Sequence, residues 1–383
     1  MKILKQKNQA PTARIGKVDL PYLILVGILA LYGTLMVFSA GYAYADFRYG
    51  DGAYFIKKQT VWLFVGIAVM IISSRIHHEI YKFLTPVLYG ATIVLLLLVL
   101  IIGFAGNGAQ RWISIGPLTI QPSEIAKLTM LMMLSYYFSK NEKLATDKTI
   151  NKNIFIFGTV LPFLIILLPI LLVMLQKHLS CIIILGTIGI ILIVLSGVGT
   201  KFLSMFMGAG VLGVSYIAFF TDYTKQRITV WQNPEAYKLT GGWQTLQGLM
   251  AIGSGGIFGC GYGKSILKYC YVSEPANDMI FAILCEELGL VGAAIALILF
   301  ALLVIRGVKI ALASSNTYTR LLALGISVKM ATQVLLNIAV VTNTIPNTGI
   351  SLPFFSYGGS SLVMLFFEMG IMLSISRHAR MQK

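Results

Sequence analysis

Residues 273–281 read Ser273-Glu274-Pro275-Ala276-Asn277-Asp278-Met279-Ile280-Phe281, and from Met279 to Ile305 the chain is almost wholly apolar, broken mainly by Glu286 and Glu287. An acidic side chain therefore stands where a long apolar segment begins. A charged side chain costs about 2.5–3.5 kcal/mol at the centre of a membrane helix and less towards its ends. A residue placed there is a functional candidate by default. The run behind it has the length, about 17–25 residues, that crossing a bilayer as a helix requires.

Working outward, similar runs recur on both sides. Ten spans are expected, at about 20–40, 54–73, 83–104, 121–139, 154–175, 179–197, 201–220, 277–305, 318–343 and 357–376. The fold class is all-α: a polytopic membrane protein with about ten transmembrane helices. Apolar residues run continuously rather than alternating, which excludes a β-barrel. Composition agrees, with 57% hydrophobic and 11% charged residues and a mean hydropathy of +0.82, against about 25% charged in a soluble domain.

The net charge of +16 would suggest a nucleic-acid partner in a soluble protein. Here the Lys and Arg residues gather in short loops, where they set topology instead. Ten spans put both termini on one side, and the basic segments 140–152 and 377–383 make that side cytoplasmic. The expected organisation is a cytoplasmic tail over 1–19, one membrane domain over 20–376 and a second cytoplasmic tail over 377–383. Residues 221–276 form a large extracytoplasmic loop between helices seven and eight. The first span, preceded by a basic stretch, is expected to remain uncleaved. Cys260 and Cys270 share the long loop; they could pair if it faces an oxidising compartment, but free thiols are the expected state.

On a helix starting near Asn277, Asp278 shares a face with Ala282, Cys285 and Gly289. As plain structure, Asp278 would be a first-turn acid favoured by the helix dipole; as chemistry, it would be a base at the outer mouth of the bundle. Glu286 and Glu287 lie deeper and suit a structural role, with Lys329 a plausible partner. Glu124 and Lys127, three apart, can pair and line a cavity. Arg111 and Trp112 combine a fork for phosphate oxygens with a ring that stacks on a sugar. The run from Gly253 to Ser265 is not a phosphate loop, because Phe258 stands where that motif needs glycine. Its glycines, with Lys264 and Lys268, suit either an anion-binding loop or a flexible re-entrant turn. Four such segments converge on one side of the membrane; the fourth is Asn343 to Ser361. No Ser-His-Asp arrangement and no metal-ligand cluster is legible.

Together these segments resemble the shape, elongation, division and sporulation family, whose members include RodA, FtsW and SpoVE. The resemblance rests on "GAQRWISIGPLTIQPSEIAK", "WQTLQGLMAIGSGGIFGCGYGKS", "EPANDMIFAILCEELGLVG" and "LPFFSYGGSSL" in that order, and covers nearly the whole chain. It implies a peptidoglycan glycosyltransferase that polymerises lipid II, the undecaprenyl-pyrophosphate-linked disaccharide precursor, on the outer face of the bacterial cytoplasmic membrane. A class B penicillin-binding transpeptidase is the implied partner. The family's essential aspartate falls on Asp278, supported by Arg111, Trp112, Glu124 and Lys127. Lys127 and Glu124 are expected with it in catalysis, Lys127 orienting the base, and Arg111, Lys264 and Lys268 are expected at the pyrophosphate. Gln121, Ser123, Gln244, Gln247, Lys264, Lys268, Glu274, Ser356, Tyr357 and Ser360 are expected to bind substrate. A divalent cation, Mg or Mn, is a further expectation for the pyrophosphate. The chain departs from the family pattern at Gln176–Cys181, where an acid is lost, at Ser273 and at Met279. The competing readings are a flippase for lipid-linked precursors and a non-catalytic scaffold for a transpeptidase.

Overall fold

The computed structural model describes residues 16–106, 109–116, 118–141, 160–196, 208 and 222–379. Eleven helices and three short strands lie among them. In chain order the helices are α1 (Leu20–Tyr49), α2 (Tyr54–Arg75), α3 (His78–Ile102), α4 (Pro122–Lys140), α5 (Leu161–Leu175), α6 (Leu179–Leu195), α7 (Asp222–Gln232), α8 (Gly242–Gly255), α9 (Ile280–Leu312), α10 (Thr317–Val341) and α11 (Gly359–His378). Nine of the ten expected spans overlap these helices; the remaining one, 201–220, lies outside the described residues apart from Gly208. Among the described residues, six helices are long and apolar enough to cross a membrane: α1, α2, α3, α9, α10 and α11. The protein is a multi-pass membrane protein.

Helix ends follow local chemistry. Asp19 caps α1 by accepting the Tyr22 N–H at 2.9 Å, and a left-handed glycine, Gly50, ends it. Asn316 caps α10 by accepting the Tyr318 N–H at 3.0 Å. Between α3 and α4 the chain forms a small antiparallel sheet of β1 (Phe104–Gly106), β2 (Ala109–Ile115) and β3 (Leu118–Ile120), in that order. Trp112 pairs with Phe104, and Ile113 with Ile120. The expected loop 221–276 is not structureless either: it contains α7 and α8.

Long-range bonds stitch each end of the bundle. At one end Asp19 is bonded to Arg306, with Arg306 Nε 3.0 Å from the carboxylate. There the Asp19 N–H also donates to Ser376 Oγ, and Ser374 Oγ donates to the Ile76 carbonyl. At the other end Arg111 meets Lys177, Ser180 meets Thr348, and the Tyr357 N–H donates to the Ala276 carbonyl at 2.8 Å.

Helix α9 is interrupted at Gly289, whose φ of 64° and ψ of −164° are not helical. The groups freed there are taken up by the segment that follows α8. The Cys260 and Gly261 N–H groups donate to the carbonyls of Glu286 (3.0 Å) and Glu287 (2.9 Å), while Leu290 and Val291 N–H groups donate to Gly256 (3.0 Å) and Ile257 (3.1 Å). Such pairing keeps non-helical backbone satisfied where little water is available. Close approach needs glycine: a Cβ on Gly259 would stand 2.2 Å from the Glu287 carbonyl oxygen.

Candidate active site

Asp278 sits two residues ahead of α9, after a turn in which Glu274 adopts a left-handed conformation (φ 53°). The Asn277 amide donates to the Glu274 carboxylate at 2.6 Å. The main chain of this turn is held from α10 and from the loop before α11. Asn337 Nδ2 donates to the Asp278 carbonyl (3.0 Å) and to the Ile350 carbonyl (2.6 Å), and Ser356 Oγ donates to the Asn277 carbonyl (2.7 Å). The backbone is fixed, so the side chain is aimed. Its carboxylate faces Gln244 of α8, with Nε2 at 3.4 and 3.5 Å from the two oxygens, and the backbone of Gly349. Contacts that long are weak, which leaves the oxygens able to accept from another donor.

Asp278 is half-buried. Burial pushes its carboxyl from 3.8 up to about 6, and the charge of Glu274 adds to the rise; Gln244 and the positive charge of Arg227 oppose it. Arg227 also lines a cleft of about 280 Å³ with Gln226, Val230, Trp231, Gly241, Gln244, Thr245 and Asn347. Gln244 is common to cleft and carboxylate. Arg227 donates to the Asn347 carbonyl, and Trp231 Nε1 donates to the Asn343 carbonyl at 2.9 Å, fastening α7 to the α10–α11 connection. The cleft thus offers a cation, an indole and amides beside a carboxylate of raised pKa.

Behind Asp278 lies a buried polar cluster. Lys127 is bonded to Glu124 at 2.7 Å, and Lys329 is bonded to Glu368. Glu124, Lys329, Gln333, Ser351, Ser356 and Ser361 share a small cavity of about 20 Å³, room for about one water. Gln333 Nε2 donates to the Ser351 carbonyl at 3.1 Å. Lys329, Gln333 and Asn337 recur at intervals of four, so one face of α10 carries the cluster up to Asp278.

The other expected residues fall as follows. Lys127, expected to orient Asp278, is buried and committed to Glu124; the positive charge felt at Asp278 is that of Arg227. Lys268, expected at a pyrophosphate, is buried: its Nζ bonds Glu287 at 2.8 Å, the Gly263 carbonyl at 2.7 Å and Ser39 at 3.2 Å. Glu287 therefore takes Lys268, not Lys329, as its partner, and also accepts from Ser39 Oγ at 2.6 Å. Glu286 accepts from Ser265 Oγ (2.5 Å) and the Ile266 N–H (2.9 Å). Both acids hold the segment 256–268 against α9. Lys264 and Glu274 are exposed.

Arg111, on β2, donates to the Lys177 carbonyl at 2.5 Å, fixing the left-handed turn between α5 and α6. Trp112 is half-buried beside it. Gln121 and Ser123 are buried at the start of α4, and Ser123 Oγ lies 3.3 Å from His178 Nδ1. Burial lowers His178 to about 3, so the ring is neutral there. Gln247 is buried on α8, Tyr357 packs its ring on Phe55 (4.8 Å), and Ser360 is half-buried in the first turn of α11. Cys260 and Cys270 are free and exposed. Sequence reasoning missed Arg227, Trp231, Gln333 and Asn337. The four-residue spacing from Lys329 was a usable signal for the last two; a single Arg in a polar stretch gave none for the first.

A family model described as "Cell cycle protein", covering the FtsW, RodA and SpoVE proteins, matches residues 20–381. The chain belongs to this family. It is 36% identical over 369 residues to stage V sporulation protein E of Bacillus subtilis, covering 94% of this chain and 98% of that one. It is 32% identical to the peptidoglycan glycosyltransferase MrdB of Escherichia coli, with 95% of each chain covered. Among solved structures, rod shape determining protein RodA of Thermus thermophilus matches with a TM-score of 0.69 and 27% identity over 96% of this chain and 98% of that one. A chain from a peptidoglycan synthase complex matches with a TM-score of 0.78 and 26% identity, over 94% and 98%.

Proposed function

We propose that this chain is a peptidoglycan glycosyltransferase that polymerises lipid II on the outer face of the bacterial cytoplasmic membrane. The observation that carries the reading is Asp278: a half-buried carboxylate, its main chain immobilised, beside a cleft that holds Arg227 and Trp231. Family membership supports the substrate, since relatives carry the activity in their names.

In this reading Asp278 takes the proton from the 4-hydroxyl of the incoming sugar as that oxygen attacks the anomeric carbon of the other. The carbon–oxygen bond to the diphosphate breaks, its electron pair leaves with the lipid pyrophosphate, and the α-linked donor becomes a β-linked product. One in-line displacement inverts the centre and needs one carboxylate base with no covalent nucleophile, as in inverting glycosidases. With a pKa of about 6 the carboxylate is mostly ionised at neutral pH yet still basic enough to accept a proton. Arg227 and the exposed Lys264 are the cations assigned to the pyrophosphate. Were a magnesium or manganese ion to bind here, the exposed Glu274 would be its carboxylate donor, and the ion would supply positive charge for the leaving pyrophosphate. Glu124 and Lys127 keep the polar cluster behind the turn in register, and Arg111 with Trp112 shapes the neighbouring sheet.

The termini are assigned to the cytoplasm and the Asp278 end to the outside. A class B penicillin-binding transpeptidase is the partner assigned to the lipid-facing surfaces. The deep charges Lys268 with Glu287 and Lys329 with Glu368 are paired, and Glu286 is held by hydrogen bonds from Ser265 and Ile266, which supports the enzyme reading over the flippase. The deciding experiment incubates purified wild type and Asp278→Asn with lipid II. Wild type is expected to form glycan strands and the variant to lose the activity; strand formation by the variant at the wild-type rate would overturn the base assignment. Absence of polymer from wild type, alone or with a transpeptidase, would favour a scaffold.

A further inference from the structure

The chain has four histidines, and three of them meet at the end of the bundle opposite Asp278. His77 and His78 precede and open α3, while His378 closes α11. Their ring centroids are 4.2 Å (His77–His78), 4.4 Å (His77–His378) and 4.9 Å (His78–His378) apart. One ring nitrogen from each lies within 4.8 Å of the other two.

Three imidazoles in contact cannot all carry a proton without repulsion, and the hydrogen bonds around them leave lone pairs unused. His378 Nδ1 donates to the Ser374 carbonyl at 2.9 Å, so its Nε2 bears a lone pair. His78 Nδ1 is buried with no hydrogen-bond partner, while its Nε2 lies 3.5 Å from the Glu79 carboxylate. His77 is exposed, and its Nδ1 accepts the Glu79 N–H at 3.3 Å, a long bond that an ion at this nitrogen would displace. Glu79 is itself held by Asn316 Nδ2 at 3.2 Å. A neutral imidazole whose second nitrogen is engaged by a carbonyl or carboxylate is the usual state of a metal-binding histidine.

We propose that His77, His78 and His378 bind a borderline divalent transition-metal ion such as zinc or nickel, with Glu79 engaging the second nitrogen of His78 rather than the ion. Tetrahedral zinc with bonds of about 2.0–2.1 Å brings ligand nitrogens to about 3.3 Å from one another, so the rings close by a modest turn that the exposed His77 is free to make. Lys82 and Arg377 stand nearby and repel any cation. Coordinate bonds from nitrogen must offset that, which selects zinc, nickel, cobalt or copper over magnesium and calcium. The ion would tie the last turn of α11 to the α2–α3 turn, reinforcing the Ser374–Ile76 hydrogen bond.

The test uses the full-length chain in detergent, purified without a histidine tag and stripped with chelator. Cobalt titration followed by visible absorption and zinc titration by calorimetry are expected to give one ion per chain. Zinc should raise the melting temperature and magnesium should not. His78→Gln, His378→Gln and His77→Gln should each weaken zinc binding at least about tenfold. His77→Gln alters an exposed ring and serves if the other two fail to fold. Unchanged zinc affinity in the folded variants, or no saturable cobalt spectrum in wild type, would overturn the proposal. Neither result bears on the Asp278 chemistry.

Discussion

Asp278 owes its raised pKa to burial more than to any neighbour, and two consequences can be measured. Activity should climb with pH through about 6 and level off above it, because the base form is the ionised one. Asp278→Asn should lower polymerisation by about 10²–10⁴-fold, the range for a lost general base. The same variant should raise the melting temperature at pH 7. A carboxyl whose folded pKa exceeds its unfolded value binds more protons when folded, so its ionisation costs stability as pH rises from about 4 to about 6. Arg227 works in the other direction, favouring the charged form. Arg227→Gln should therefore move the acidic limb of the pH–rate profile to higher pH, whereas a purely structural Arg227 would leave that limb in place. The acid was visible in the sequence as a charge at the mouth of an apolar run. Its attendant cation was not, because the charge of Arg227 comes to act on Asp278 only after α7, α8 and the α10–α11 connection have folded together.

At the scale of elements, apolar runs placed nine of the eleven described helices, since burial in lipid demands them whatever the neighbours do, but not α7 and α8, which lie inside the expected loop. The sheet of β1 to β3 went unread: strands of three to seven residues leave too few side chains to show a period of two. The segment 256–268 offered two readings, and the structure makes it a strap on α9 with Lys268 locked to Glu287. Lys268→Met should destabilise the protein by about 3–5 kcal/mol, leaving Glu287 buried without its cation, and Lys268→Met with Glu287→Met should recover much of that loss. Thermal melts of the two variants check this. Gly259→Val should be at least as damaging, because its side chain would collide with the α9 backbone.

At the scale of the molecule, two stitched ends enclose a middle whose buried charges are paired, and the catalytic reading places the Asp278 end outside the cell. Cys260 and Cys270 are exposed thiols on the segments leading to Asp278, whereas Cys181 and Cys285 are buried. An impermeant maleimide applied to intact cells should therefore label the first two and spare the others; labelling only after lysis would invert the orientation. The strap on α9 also bears on biogenesis. Residues 256–261 are synthesised before 286–291, so when the broken helix leaves the ribosome its hydrogen-bonding partner is already made and waiting. The helix that most needs an external partner emerges last of the pair, and a deletion in the strap should trap the nascent chain at insertion rather than impair the finished enzyme.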